Sequence, residues 1–194
     1  IPVVAITGQV KRSTIGHDAF QEVDICGITM PITKQNFLVN KPEELEQTMH
    51  LAFQIARSGR PGPVLIDVPN DVQKAMIEYY GKKLPALSPK APDPMRIDLA
   101  IDALSKAKRP VMLVGGGVAI SGAQYEAVHL AEKLNLPCAS TLMGLGCISS
   151  YRKQYLGMAG LHGHERANRA LAEADVILAL GSRFDDRETG GRMA

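Results

Sequence analysis

Residues 110–134 read PVMLVGGGVAISGAQYEAVHLAEKL, and this stretch decides the fold class. Its apolar run Pro110–Val114 predicts a buried strand, the glycines at 115–117 a tight turn, and Ser121–Leu134 a helix. The alternation continues along the chain with further strands and a polar-faced helix, at Pro137–Ser140, His164–Glu173 and Val176–Leu180. Strands that alternate with helices are typical of an α/β fold, in which helices flank a parallel sheet.

The first half of the chain shows the same kind of pattern. Strands are predicted at Val3–Thr7, Phe37–Val39 and Pro63–Val68, and the last of these reads as a buried parallel strand. A helix is predicted from near Lys41 to Gly59. Its predicted buried face recurs at helical spacing and consists of Leu45, Met49, Ala52, Phe53 and Ala56.

A change of composition separates the two halves. Residues 81–94 read GKKLPALSPKAPDP, with four prolines and no apolar period, which predicts an extended linker. We therefore expect one domain over residues 1–80 and a second over 95–194. The chain opens inside a predicted strand and ends soon after another, so we also expect it to be a fragment of a longer protein.

Composition and charge exclude several classes of function. The formal net charge is only +2, and no apolar run approaches the length of a membrane span, so neither nucleic acid nor a membrane is an expected partner. Cys26, Cys138 and Cys147 lack metal-ligand spacing and are expected to be reduced thiols in a cytosol-type compartment. His162 and His164 form an H-x-H pair without a carboxylate or cysteine nearby, so no metal site is expected.

Four glycine-bearing segments follow predicted strands or precede a predicted helix, at residues 115–117, 141–146, 157–163 and 181–187. In α/β folds the carboxyl ends of parallel strands are where ligands bind. We expect these segments to share one cofactor groove, with glycine amides at phosphates. The run 115–117 alone is equally consistent with a tight turn, and for Asp185 or Asp186 taken singly a salt bridge or a helix cap is favoured over a ligand contact.

Residues 8–34 read GQVKRSTIGHDAFQEVDICGITMPITK and fit neither one helix nor one strand. The apolar Phe20 stands beside Gln21 and several acids, the composition of a pocket wall. Arg60 lies in GRPGP, where capping a helix end and binding an anionic group are equally plausible roles.

Together these segments resemble the catalytic large subunit of acetolactate synthase (acetohydroxyacid synthase), a family of thiamine-diphosphate enzymes. The matching motifs occur in the family's order and cover nearly the whole chain: AITGQV, IGHDAFQEVDI, ITMPITK, SGRPGPVLIDVP, VGGG, STLMGLG, GLHG and RFDDR. The resemblance implies the later half of a pyrimidine-binding domain over 1–80. It implies the first part of a Rossmann-like, FAD-binding central domain over 95–194.

The resemblance also implies an activity and cofactors. Family members condense two pyruvates, or pyruvate and 2-oxobutyrate, with loss of carbon dioxide, in branched-chain amino acid biosynthesis. They use thiamine diphosphate, Mg²⁺ and FAD. Their activating glutamate is expected upstream of Ile1 and their metal motif beyond Ala194, so no catalytic residue is assigned here, and the chain alone is expected to be inactive.

Site residues carry over by position. Phe20 and Gln21 would lie at thiamine diphosphate, with His17 nearby, and Lys34 and Asn70 would line the substrate channel. The implied FAD contacts are Arg60, Gly116, Thr141, Leu142, Ala159, Gly160, Leu161, His162, Ser182, Arg183, Phe184, Asp185 and Asp186.

The chain departs from the family pattern at four positions. Asn70 replaces a usual lysine at the channel mouth, and Lys11 replaces a common proline. Ala159 and Ser182 stand where larger apolar residues are frequent. These departures bear on fine specificity.

The implied partners are small 2-oxo acid substrates, further copies of the chain in a homodimer or tetramer, and a regulatory small subunit, all in the cytoplasm. Two other readings stay open. One is a related thiamine-diphosphate enzyme of the glyoxylate carboligase or pyruvate oxidase type, and the other is a non-catalytic flavin-binding homologue.

Overall fold

The computed structural model describes residues 1–81 and 91–189. The chain forms two compact units, Ile1–Lys90 and Ala91–Ala194, and each is described by itself. Most of the predicted linker 81–94 lies outside the described residues.

The first unit is built on a three-stranded parallel sheet in the order β1-β3-β2. Its strands are β1 (Val3–Gln9), β2 (Gln35–Leu38) and β3 (Pro63–Pro69). Its helices are α1 (Ile25–Thr29), α2 (Leu45–Arg57) and α3 (Asn70–Gln73). The strands form because β-branched and other apolar residues dominate them, and β3 is buried because it lies between the other two.

Helix α2 packs its small residues on the sheet. Ala52 and Ala56 are buried, and Met49 packs against the same core. Phe53 is 54% exposed, so the prediction that it belongs to the buried face was wrong. One residue along a helix is a turn of about 100°, which carries Phe53 away from the stripe that Ala52 occupies. The helix ends with Ser58 N–H donating to the Gln54 carbonyl at 2.9 Å.

The second unit is built on a four-stranded parallel sheet in the order β6-β5-β4-β7. Its strands are β4 (Pro110–Val114), β5 (Cys138–Ser140), β6 (Tyr155–Met158) and β7 (Val176–Leu180). Its helices are α4 (Pro94–Lys106), α5 (Gly116–Ser121), α6 (Gln124–Lys133), α7 (Glu165–Glu173) and α8 (Asp186–Thr189). The predicted α/β class, with parallel sheets flanked by helices, is confirmed.

Two local predictions fail in the second unit. The single helix expected over Ser121–Leu134 is interrupted, because Gly122 takes a left-handed conformation with φ of +73° and closes α5. Strand β6 was not predicted. It has only four residues, and one of them is Gly157, which has φ of +99° and lies against the ring of His164.

The cysteines are free thiols: Cys138 and Cys147 are buried and Cys26 is half-buried. Burial raises the pKa of Cys138 to about 12, so it is a neutral core residue. Among the described helices, none combines the length and the apolar character that a bilayer crossing needs.

Candidate functional site

The loops that follow β4, β5 and β7 meet at the carboxyl edge of the second unit's sheet. A side chain at Gly115 would overlap the Gly181 carbonyl, and one at Gly144 would overlap the Val114 carbonyl. A Cβ at Gly116 would lie 2.8 Å from that of Met143. These loops therefore pack backbone on backbone, which only glycine permits at this separation. Three of the four predicted glycine segments therefore share one edge, and the shared cofactor groove stays a prediction.

Three of the glycine amides at this edge donate hydrogen bonds to carbonyls of the protein itself. Gly115 N–H donates to the Leu180 carbonyl at 2.8 Å, and Gly117 N–H donates to the Gly181 carbonyl at 2.9 Å. Gly144 N–H donates to the Thr141 carbonyl at 3.0 Å. The expectation that these amides hold phosphates is not met at these three: Gly115 and Gly117 donate to the end of β7 and the residue after it, and Gly144 closes a turn within its own loop.

The loop after β6 is held by a side-chain amide. Asn168 on α7 accepts from Gly160 N–H at 2.8 Å and donates to the Gly160 carbonyl at 2.9 Å. Leu161 N–H donates to the Arg187 carbonyl at 2.8 Å. Ala159 is buried, so its methyl group faces the core, whereas His162 is exposed. The open part of this loop is therefore Leu161 and His162.

His164 has a structural role that separates it from His162. It precedes α7 as the N-terminal cap residue, and its Nδ1 accepts from Met158 N–H at 3.3 Å. Over residues 1–81 and 91–189, no cluster of three or more His, Cys, Asp or Glu side chains is arranged to hold a metal ion.

The segment after β7 supplies polar side chains to the carboxyl edge of the second unit's sheet. Ser182 donates its hydroxyl to the Glu188 carboxylate at 2.7 Å, and Arg183 pairs with Asp185 at 2.7 Å. Asp185 also accepts from Glu188 N–H at 3.1 Å. The Arg183 guanidinium, with smaller help from backbone amides, lowers the pKa of Asp185. Asp186 is exposed, and its Oδ2 lies 3.9 Å from Arg187 Nε.

The same loops leave large apolar side chains uncovered. Leu142, Met143, Leu161 and Phe184 are each more than half exposed. Uncovered apolar groups beside a few polar ones are typical of a small-molecule site. The carboxyl edge of this sheet thus presents uncovered apolar side chains next to the polar segment from Ser182 to Asp186.

A separate groove of about 470 Å³ lies beside β7, between α5 and α6. Val118, Ala127 and Leu130 line it, with Gly117 and Gly181 at one end. None of the residues implied as FAD contacts lines this groove. It was not predicted, because its walls are ordinary helix-face residues.

The first unit carries Phe20 and Gln21 on the loop between β1 and α1. Phe20 is 89% exposed, and Gln21 has φ of +63°, a left-handed conformation that needs outside support in a non-glycine residue. Glu22 supplies it: its carboxylate accepts from Gly16 N–H at 2.5 Å and from Ala19 N–H at 2.9 Å. These two backbone bonds lower the pKa of Glu22.

An ion pair anchors the start of the same loop. Arg12 donates to Asp71 at 2.7 Å through Nε and to the Asn40 carbonyl at 2.6 Å. The side-chain bond from Arg12 is the largest cause of a lowered pKa at Asp71. Asn70, next to Asp71, is half-buried at the carboxyl end of β3. The loop and Asn70 thus lie at the same edge of the first unit's sheet.

Lys34 and Arg60 lie at the opposite edge of that sheet. Lys34 Nζ donates to the Ile55 carbonyl at 2.5 Å and to the Ser58 carbonyl at 2.6 Å, which caps the end of α2. Arg60 is exposed in the connection from α2 to β3. A strand of this length separates the two edges by roughly 20 Å. Within this unit, Lys34 and Asn70 therefore do not come together.

Comparison with known proteins identifies the family. The family model described as "Thiamine pyrophosphate enzyme, central domain" matches residues 97–194, half of the chain. The probable acetolactate synthase large subunit of Methanocaldococcus jannaschii is 48% identical over 97% of this chain and 33% of its own length. The acetolactate synthase isozyme 1 large subunit of Escherichia coli K12 is 50% identical over 98% of this chain and 34% of its own.

The acetolactate synthase large subunit of Corynebacterium glutamicum is 45% identical over 98% of this chain and 31% of its own length. The chain thus spans about a third of the length of these relatives. The resemblance drawn from the motifs is confirmed. The chain belongs to the thiamine pyrophosphate enzymes, and among them it is similar to the large subunits of acetolactate synthase.

Proposed function

We propose that this chain is part of an acetolactate synthase large subunit. The whole enzyme would condense two pyruvates to 2-acetolactate, or pyruvate with 2-oxobutyrate, with loss of carbon dioxide. The observation that carries the proposal is the loop with Phe20 and Gln21. A phenylalanine held almost fully exposed forgoes about 1.5–3 kcal/mol of burial, a cost that a ligand or a second polypeptide would offset on covering it.

Thiamine diphosphate, when bound, supplies an electron sink for the carbanion left by decarboxylation. The residues of this chain would position it: Phe20 would give an apolar wall, and the Gln21 amide would give a hydrogen bond. The activating glutamate and the Mg²⁺ motif expected from the resemblance are not assigned to any residue here. The proposed enzyme therefore works only as the longer protein.

FAD is proposed at the carboxyl edge of the second unit's sheet. Its support is the exposed group Leu142, Leu161 and Phe184 beside the polar segment from Ser182 to Asp186. Arg183 would bind a phosphate in one of two ways. Either its ion pair with Asp185 breaks, or its Nη1 donates to the phosphate while Nε and Nη2 stay bonded to Asp185. Arg60 is proposed as a further contact, supported by its exposure and fixed charge.

The remaining features of the proposal concern the whole enzyme. They are assembly as a homodimer or tetramer, a regulatory small subunit, a cytoplasmic location and a place in branched-chain amino acid biosynthesis. What supports them is the similarity to acetolactate synthase large subunits.

Product analysis tests the proposal. The full-length enzyme is incubated with pyruvate, thiamine diphosphate and Mg²⁺, with and without FAD, and acetolactate is measured after its conversion to acetoin. Acetolactate formation supports the proposal. Carboligation of glyoxylate instead of pyruvate, or oxidation of pyruvate, would assign the protein to another branch of the family. Retained flavin without any product would indicate a non-catalytic homologue. The 194-residue chain alone is the control and is expected to be inactive.

A further inference from the structure

A buried carboxylate in the first unit has no part in the function proposed so far. Asp67 in β3 is 1% exposed, and no described lysine, arginine or histidine forms an ion pair with it. Its side chain accepts from the Thr7 hydroxyl at 2.8 Å and from Gln9 Nε2 at 3.0 Å. A buried acid with only neutral donors is a poor source of stability, since an apolar residue of the same size fits such a position at lower cost.

Strand register explains how these groups meet. β1 and β3 are parallel, and Thr7 pairs with Asp67 directly across the sheet. Side chains alternate along a strand, so Thr7 and Gln9 point to the same face, the one on which Asp67 lies. Cys26 of α1 lies near this face, where the Asp67 charge is a secondary cause, after burial, of a raised pKa at Cys26.

Gln9 joins Asp67 to the loop that follows β1. Its Nε2 donates to the Val23 carbonyl at 2.7 Å as well as to Asp67. Its Oε1 accepts from Val10 N–H at 2.9 Å. The Gln9 amide therefore bonds to Val10 and Val23, the first and the last residue of loop 10–23. We call these bonds, with the bond to Asp67, the clasp, and we call the place where the two ends of the loop meet its neck.

Asp67 and the Val23 carbonyl together determine which way this amide faces. An ionised carboxylate accepts hydrogen bonds and donates none, so it requires Nε2 of Gln9 on its side. The opposite orientation would set the Gln9 oxygen against the Asp67 carboxylate and the Gln9 nitrogen against Val10 N–H. The Asp67 carboxylate, the Val23 carbonyl and Val10 N–H thus all require the same orientation of the Gln9 amide, the one that binds both ends of the loop.

We propose that Asp67 and Gln9 are positioning residues: they close the neck of loop 10–23 and so hold Phe20 and Gln21 in place for thiamine diphosphate. The consequence for the cofactor rests on the proposed function. The closing of the loop does not, and it is tested separately.

Amide hydrogen exchange of the full-length enzyme, without cofactor, tests the clasp. Asp67→Leu keeps the branched shape of the side chain, at a larger volume, and removes the acceptors, and Gln9→Leu removes the amide itself. Each is expected to speed exchange in residues 10–24 by about tenfold or more, since each removes at least one hydrogen bond and frees the rest of the set. Exchange in α2 and β2 is expected to stay within about twofold of wild type, because the α2 core does not include Asp67.

Two variants serve as matched controls. Thr7→Val removes the other hydrogen bond to Asp67 and leaves Gln9 untouched, so loop exchange is expected to stay as in wild type. Asp67→Asn keeps an oxygen for Gln9, while its new amide donates to the Thr7 hydroxyl. It is expected to rescue the loop to within about threefold of wild type.

A second measurement separates the clasp from the proposed function. Thiamine diphosphate with Mg²⁺ is titrated into each full-length variant, and the half-saturating concentration is expected to rise about tenfold in Asp67→Leu and Gln9→Leu only. Loop exchange equal to wild type in both leucine variants overturns the clasp, as does an increase spread evenly over the first unit. Faster loop exchange with unchanged thiamine diphosphate binding upholds the clasp and refutes the cofactor role of the loop.

Discussion

Replacing Gly144 by alanine should loosen the carboxyl edge of the second unit's sheet. A Cβ at this position would overlap the Val114 carbonyl oxygen. It would lie 2.8 Å from the Val114 carbonyl carbon and 3.2 Å from Gly115 Cα. Carbon atoms rest at about 3.5–4.0 Å, so the loop 142–144 must move away from β4 by up to about 1 Å. That movement strains the bond from Thr141 N–H to the Val114 carbonyl, which measures 2.9 Å.

The expected cost follows from these two effects. Overpacking against backbone costs about 1–3 kcal/mol, and the strained hydrogen bond adds about 1 kcal/mol. A total of about 2–4 kcal/mol raises local opening by roughly 30-fold or more, because each 1.4 kcal/mol is a factor of ten. Hydrogen exchange of peptides spanning residues 138–146, in the intact protein, measures this opening.

Gly8→Ala is the matched control for this substitution. The nearest atom to a Cβ at Gly8 is the flexible Gln73 Nε2 at 3.4 Å, an ordinary contact. Exchange around Gly8 is therefore expected to stay near the wild-type rate. If Gly144→Ala proves as mild as Gly8→Ala, the loops do not depend on close backbone packing, and the structural explanation of these glycines fails.

Three further predictions concern single side chains. Arg183→Ala should release FAD from the intact enzyme on dialysis with little loss of stability, because its ion pair with Asp185 is exposed to solvent and screened by it; unchanged flavin content would refute the assignment. The folded-state pKa of Glu22 is lowered, so its bonds stabilise the loop above the unfolded pKa and are lost as pH falls through the folded pKa. The protection factors of the loop amides, which correct for the intrinsic slowing of exchange at low pH, should therefore fall on acidification in wild type but not in Glu22→Gln, and equal pH profiles of protection would contradict this. Lys34→Met should fray the end of α2, costing about 1 kcal/mol; unchanged exchange at residues 55–59 would show that the cap is dispensable.

The sequence was a good guide to the strands that form the core. Pro63–Pro69 and Pro110–Val114 are apolar, β-branched runs bounded by turn residues, and each forms a central strand. Strand β6 was not predicted, because it is short, contains Gly157 and pairs with β5 in an irregular register. Its pairing partner, rather than its own residues, decides its conformation.

The candidate site was predictable as a set of segments but not as a set of contacts. The motifs indicated that several glycine loops would share an edge. That Gly115 lies on Gly181 depends on β4 and β7 being neighbours, and strand order is a long-range property that a local pattern does not contain. For the same reason, the internal hydrogen bonds of Gly115 and Gly117 and the separation of Lys34 from Asn70 came from the structure alone.

The loop that carries Phe20 is anchored at three points along its length, which argues for a role beyond folding. Gln9 closes its neck, Arg12 ties its start to Asp71 and Asn40, and Glu22 fixes its tip. None of these bonds adds to the apolar core under α2, and a loop that only connects two elements has no need of a fixed tip. Holding an exposed side chain in one conformation lowers the entropy lost when a ligand covers it. Variants of the anchors should therefore weaken ligand binding more than they lower folding stability, whereas variants of the core should do the reverse.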